Sequence, residues 1–158
     1  MKRIRENKHR LAAEIYIGER PIAFTLCLKG RVSYFTNEST FKYFEKVLLE
    51  ELKHYNCSAF VYLFMPDHLH LVLAGNEPDS NIKKCLEMFK QKTGFYLSKS
   101  KANVSWQKDY YDHILRSEEN LEIHLKYILN NPVRAGMVNY WKKYPYIGST
   151  VYNLCEWE

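Results

Sequence analysis

The sequence predicts an α+β domain built on an antiparallel sheet, in the order β-α-β-β-α-β with one further C-terminal helix. This is the ferredoxin-like or RNA-recognition-motif-like arrangement. Three observations point to it. Residues Ile22 to Leu28 form a β-branched, aromatic and apolar run closed by Lys29-Gly30-Arg31. Two further apolar runs, Ser58 to Phe64 and His68 to Ala74, are separated only by Met65-Pro66-Asp67, a turn short enough to make them an antiparallel hairpin. Between and after these runs the apolar spacing changes from two to that of a helix.

Each element follows in turn. Ser39 or Thr40 can cap a helix that carries Phe44, Val47, Leu48 and Leu52 on one face. Asp79 or Ser80 can cap a second, with Ile82, Leu86, Phe89 and Phe95 on its buried side. Tyr110 to Leu115 reads as a shorter fourth strand. Ser117 caps a third helix, and Glu118 and Glu119 suit its positive N-terminus. That helix should stop near Asn131, because Pro132 disfavours helical geometry in the residue before it. The expected organisation is a basic arm over residues 1–12, one domain over 13–150 and a tail over 151–158.

The chain has 158 residues, enough for one domain with a substantial core and short for two. Its net charge of +5 permits a polyanionic partner without requiring one. The basic charge is uneven. Lys2, Arg3, Arg5, Lys8 and Arg10 face only Glu6 in the first ten residues, and Lys83, Lys84, Lys90, Lys92, Lys99 and Lys101 face only Glu87. Two such segments suit a surface that tracks a nucleic-acid backbone, although solvated lysines on a helix would read the same way. Cys27, Cys57, Cys85 and Cys155 are scattered with no CxxC pair, which argues against a zinc knuckle and for a reduced, cytoplasmic setting. No apolar segment follows the basic N-terminus as in a signal peptide, and the longest apolar run, Ala59 to Met65, is too short to span a bilayer.

The third strand carries the first candidate site. Side chains alternate along a strand, so Leu69, Leu71 and Leu73 face the core while His68 and His70 share the other face with Val72 and Ala74. Two imidazoles about 6.5–7 Å apart at Cα can converge on one ion, but a third ligand must come from elsewhere. On the third helix, Leu121, Leu125 and Ile128 form an apolar stripe, and Asn120, His124, Tyr127 and Asn131 a polar one beside it. If this helix covers the open face of the sheet, Asn131 can offer an oxygen to the ion, with Tyr127 one turn away. A phenol is a weak nucleophile at neutral pH, and a metal that polarises a phosphoryl oxygen lowers the barrier to its attack. Tyr110 and Tyr111 are the nearest competing phenols among thirteen tyrosines.

Met65-Pro-Asp-His-Leu-His-Leu71 resembles the His-hydrophobe-His (HUH) signature of single-tyrosine transposases. Trp106-Gln-Lys-Asp-Tyr-Tyr-Asp-His113 and His124-Leu-Lys-Tyr-Ile-Leu-Asn-Asn-Pro-Val-Arg-Ala-Gly136 are similar to the branch called REP-associated tyrosine transposases. Tyr144-Pro-Tyr-Ile-Gly-Ser149 is similar to the closing motif of that branch, with Gly148 where a serine is more usual. The resemblance covers about residues 20–150. It implies that His68 and His70 bind a divalent metal, magnesium or manganese, that Asn131 completes the metal site, and that Tyr127 attacks DNA. It further implies cleavage and rejoining of single-stranded DNA beside hairpins through a 5′-phosphotyrosine. By analogy Arg3, Arg5 and Lys8 contact the hairpin, and Lys83, Lys84 and Lys90 supply further DNA contacts. Many members of the family are dimers, so a homodimer stays open.

Two other readings compete. A non-catalytic single-strand binding module of the same topology would want Phe or Tyr on the open face of the central strands, where this chain has His68 and His70. A relaxase or replication-initiator nuclease also pairs histidines with tyrosine, but the Asn-Pro-Val-Arg-Ala-Gly segment after Tyr127 favours the transposase branch.

Overall fold

The structure is a computed structural model and describes residues 11–100 and 103–157. Strands β1 (Ile22–Cys27), β2 (Cys57–Met65), β3 (His68–Gly75), β4 (Tyr111–Ile114) and β5 (Ile147–Gly148) make one antiparallel sheet in the order β4-β1-β3-β2-β5. The helices are α1 (Glu38–His54), α2 (Ile82–Lys99), α3 (Glu118–Leu129) and a single turn, α4 (Asn131–Arg134). The expected β-α-β-β-α-β order with an added tyrosine-bearing helix is what is found.

The caps differ from the expectation at two helices. Asn37, not Ser39 or Thr40, caps α1 by accepting from the Thr40 N–H at 2.9 Å. Asn81, not Asp79 or Ser80, caps α2 by accepting from the Lys84 N–H at 3.0 Å. An asparagine side-chain oxygen reaches the third helical N–H as well as a hydroxyl does. Ser80 is instead buried, and its hydroxyl donates to the Asn56 carbonyl at 2.8 Å. Ser117 caps α3 as expected, accepting from the Asn120 N–H at 3.1 Å.

Period-two alternation sorts the sheet into two cores. Phe24, Leu26, Phe64, Leu69, Leu71 and Leu73 pack under α1 and α2 with Phe44, Leu48, Leu86 and Phe89, whereas Phe95, expected on the buried side of α2, is exposed. Ala23, Val61, Leu63, Met65 and Val72 pack on the opposite face against Leu125, Ile128 and Leu129 of α3 and against Trp141 and Tyr144. A register shift between Ala59 and Val61 flips the parity of β2, so Ala59 and Tyr62 both face the first core. The last segment is not detached. Tyr152, Leu154 and Trp157 pack against the second core.

Strand β5 is only two residues long and has no periodicity to betray it in the sequence. It pairs Gly148 with Tyr62 and Ile147 with Leu63 at the edge of β2. The Tyr62 phenol lies directly across Gly148, where any Cβ would fall inside its van der Waals envelope, and its hydroxyl donates to Glu45 at 2.7 Å. This accounts for glycine at that position. Gly148→Ser is expected to cost about 1–3 kcal/mol through overpacking against Tyr62. Thermal unfolding checks this, and an unchanged melting temperature would mean that the Tyr62 ring moves aside freely.

Candidate active site

Pairing of β1 with β3 and of β1 with β4 lays one row of residues across the sheet: Tyr111 opposite Thr25, and Thr25 opposite His70. One step along, Cys27 lies opposite His68. His68 and His70 share the face that α3 covers, because they alternate with the Leu69 and Leu71 of the first core.

The ring nitrogens are held from behind. His70 Nδ1 lies 3.1 Å from the Thr25 hydroxyl, and His68 Nδ1 lies 2.6 Å from Asp67 Oδ1. The other Asp67 oxygen accepts from Arg31 Nε at 2.8 Å. An imidazole that donates through Nδ1 presents a bare lone pair at Nε2. The two Nε2 atoms face each other at 3.2 Å. The Asn131 amide nitrogen reaches the same point, 2.6 Å from His70 Nε2. Where both Nδ1 atoms donate, two lone pairs at that separation call for a proton or a cation between them. Rotating the Asn131 amide would bring its oxygen to the same place, since its two ends are nearly indistinguishable in shape. Two imidazole nitrogens and an amide oxygen are a suitable partial ligand set for a divalent ion, with positions left for oxygen ligands. Among the described residues no three His, Cys, Asp or Glu side chains form such a group, since the third donor here is an amide.

Burial first, then the charges of His68, His124, Arg134 and Arg31, push His70 well below the usual histidine range, so its imidazole stays neutral near pH 7. Burial, helped by His113, also lowers His124. Burial alone would raise the Asp67 carboxyl, but hydrogen bonds from His68 and Arg31 and their charges outweigh it and leave its pKa at about 2. A carboxylate depressed in the folded state stabilises the fold above its unfolded pKa, near 3.8, and loses that contribution as pH falls towards 2. The stability gap between the native protein and Asp67→Asn, read from unfolding midpoints, is therefore expected to be wide at pH 5 and to close near pH 2. A gap that stays constant across that window would refute the Asp67 assignment.

Tyr127 stands on α3 one turn before Asn131, and its side chain is 52% exposed. Its ring is flanked by His124, at 6.4 Å between centroids, and by Arg134, whose guanidinium carbon lies 3.8 Å from the ring centroid. The competitors separate. Tyr110 is 6% exposed and packs edge-on against Phe24 in the first core. Tyr111 is 41% exposed and points from the row that contains His70, two strands away, or about 10 Å at ordinary strand spacing.

The basic residues are not all brought here. Arg3, Arg5 and Lys8 lie outside the described residues. Lys83, Lys84 and Lys90 lie on α2, in the helix layer behind the sheet. Lys90 donates to the Gln107 and Lys108 carbonyls at 3.1 Å each and covers the Tyr110 ring, so its ammonium holds the loop before β4. Lys83 lies over the Tyr16 ring and pairs with Glu87 at 3.9 Å, while Lys84 is exposed. Thr25, Asp67, Arg31 and Arg134 were not singled out from the sequence. Asp67 read only as a turn former, and the place of Thr25 depends on strand register.

A family model described as IS200-like transposase matches residues 21–131, from the start of β1 to Asn131. The chain belongs to the IS200-like transposase family. It is 28% identical over 140 residues to a Haemophilus influenzae protein described as a REP-associated tyrosine transposase, with 78% of this chain and 76% of that protein covered. Its fold is similar to a solved REP-associated tyrosine transposase bound to a REP hairpin, with a TM-score of 0.75, 20% identity, and coverage of 89% and 81% of the two chains. A Deinococcus radiodurans protein described as a transposase matches at a TM-score of 0.53 and 17% identity, covering 73% and 92%. The transposase family is thus the one that the His-x-His and Asn-Pro-Val-Arg-Ala-Gly motifs resembled. On the central strands β1 and β3, the face under α3 carries Ala23, Thr25, His68, His70 and Val72, with no Phe, Tyr or Trp. No helix among the described residues is long and apolar enough to cross a membrane.

Proposed function

We propose that this IS200-like transposase cleaves and rejoins single-stranded DNA beside a hairpin, with Tyr127 as nucleophile and His68, His70 and Asn131 as ligands of magnesium or manganese. The single observation that carries the reading is the 2.6 Å contact between Asn131 and His70, which ties the helix of Tyr127 to the imidazole pair. When bound, the ion would polarise a phosphoryl oxygen of the scissile phosphate. Thr25 and Asp67 hold the two imidazoles in the tautomer that leaves both Nε2 atoms free. The Tyr127 oxygen forms a bond to phosphorus, the bond from phosphorus to the 3′ oxygen breaks, the phenol loses its proton, and the leaving oxygen gains one. The products are a 5′-phosphotyrosine and a free 3′-hydroxyl. A second 3′-hydroxyl can reverse the step and join new ends, without an external energy source.

The relative solved with a REP hairpin supports a hairpin as substrate class. Arg3, Arg5, Lys8, Lys83 and Lys84 are proposed as backbone contacts, and the salt dependence of hairpin binding measures their share. From the same Asn131–His70 contact, made within one chain, we infer that the tyrosine serves its own imidazole pair rather than a partner's. The test is covalent capture of a hairpin-flanked oligonucleotide in manganese. The native protein should form the adduct, and a mixture of Tyr127→Phe with His70→Ala should not. Restored capture in the mixture would show that the tyrosine crosses to a partner chain. No capture by the native protein with any hairpin-flanked single strand from a randomised library would end the reading.

A further inference from the structure

Tyr127 is half-exposed, and the apolar core does not hold its ring. Arg134 does. The guanidinium carbon sits 3.8 Å from the ring centroid, and one of its terminal nitrogens donates to the Tyr127 carbonyl at 2.6 Å. The backbone beneath Arg134 is firmly placed. Pro132 sits in the first turn of α4, and α4 closes where the Gly136 N–H donates to Val133 and the Met137 N–H to Pro132, at 3.0 and 2.9 Å. Gly136 has φ +74°, the left-handed conformation that this closure requires. Helical side chains lean towards the N-terminus, and arginine is long enough to reach back over two turns. The segment Asn-Pro-Val-Arg-Ala-Gly therefore builds a short, stiff platform whose arginine lies flat on the tyrosine.

The geometry points to Arg134 as the positioning residue for Tyr127: its planar guanidinium, stacked on the phenol and anchored to the same residue's carbonyl, holds the ring in the orientation needed for attack. This rests on Tyr127 being the nucleophile. The stack needs a flat cation. Lysine keeps the charge but has neither the planar face nor the fork of donors, so it cannot both cover the ring and hold the carbonyl. Misplacing a reacting group by about 1 Å can lower a rate about 100-fold.

The test compares Arg134→Lys and Arg134→Ala with the native protein in single-turnover capture of the hairpin oligonucleotide in manganese, with the oligonucleotide Kd measured in parallel. The expected result is a loss of about 100-fold in capture rate for both variants with Kd unchanged. Added methylguanidinium should restore Arg134→Ala towards the native rate and leave Arg134→Lys slow. Melting temperatures show whether each variant is folded, and rescue by methylguanidinium of a variant with lowered stability still supports positioning. Native capture rate in Arg134→Lys overturns the proposal, because charge alone would then suffice. A Kd that weakens in step with the rate also overturns it, leaving Arg134 as a DNA contact. Tyr127→Phe run alongside separates the two failures. If it still forms the adduct, the nucleophile is wrong; if it does not while Arg134→Lys is fully active, only the role of Arg134 falls.

Discussion

Tyr127→Phe is expected to abolish covalent capture of a hairpin-flanked oligonucleotide while hairpin binding persists. The substitution removes one oxygen and keeps the ring, so the stack with Arg134 and the flank with His124 survive. The side chain is half-exposed, which limits the change in stability to about 0.5 kcal/mol. Loss of capture with an unchanged melting temperature and unchanged Kd can then come only from loss of the nucleophile. Capture at the native level would transfer the role to another phenol. Tyr111 would be the first candidate, since it is exposed and shares a cross-strand row with His70, whereas Tyr110 is buried in the first core.

His70→Ala carries the second large effect. His70 is the imidazole with three contacts in the site: Thr25 behind it, His68 beside it and Asn131 across from it. Its removal takes away one of three proposed ligands and the contact that ties the α3–α4 junction to β3. Polarisation of a phosphoryl oxygen by a bound ion is worth several kcal/mol of barrier, so the cleavage rate in saturating manganese should fall by about 1,000-fold. Manganese binding measured by calorimetry should weaken as well. Intact activity would remove the metal role from the pair, and lost activity with intact manganese affinity would confine His70 to holding Asn131.

Much of this was legible in the sequence because it depends on local spacing. Alternation along β3 put His68 and His70 on the face away from Leu69 and Leu71, and helical spacing put Tyr127 and Asn131 on one stripe, although Asn131 proves to open α4 just beyond α3. What joined the two was conditional: the stripe reaches the imidazoles only if α3 covers the open face of the sheet. The second core, with Leu125, Ile128 and Leu129 under Val61 and Val72, meets that condition. Thr25 could not be found without the register of β1 on β3. Asp67 was visible as a turn residue, but its hold on His68 depends on the hairpin geometry. Arg134 lies seven positions beyond Tyr127, and the proline between them predicts a break that hides whether the two still share a face. The α2 lysines are a different case. Their charge was plain in the sequence, but not that α2 packs behind the sheet or that Lys90 binds two backbone carbonyls.

The most direct measurement is the identity of the residue that carries DNA. The protein is incubated with a hairpin-flanked single strand and manganese, the DNA is trimmed by nuclease, and tryptic peptides are weighed. Cleavage after Lys126 and Arg134 isolates Tyr127 in one peptide, and cleavage after Lys108 and Arg116 isolates Tyr110 and Tyr111 in another. A nucleotide mass on the peptide Tyr127–Arg134, dependent on manganese, is the expected result. The same mass on the peptide that holds Tyr111, or on Tyr127 without any need for metal, would contradict it.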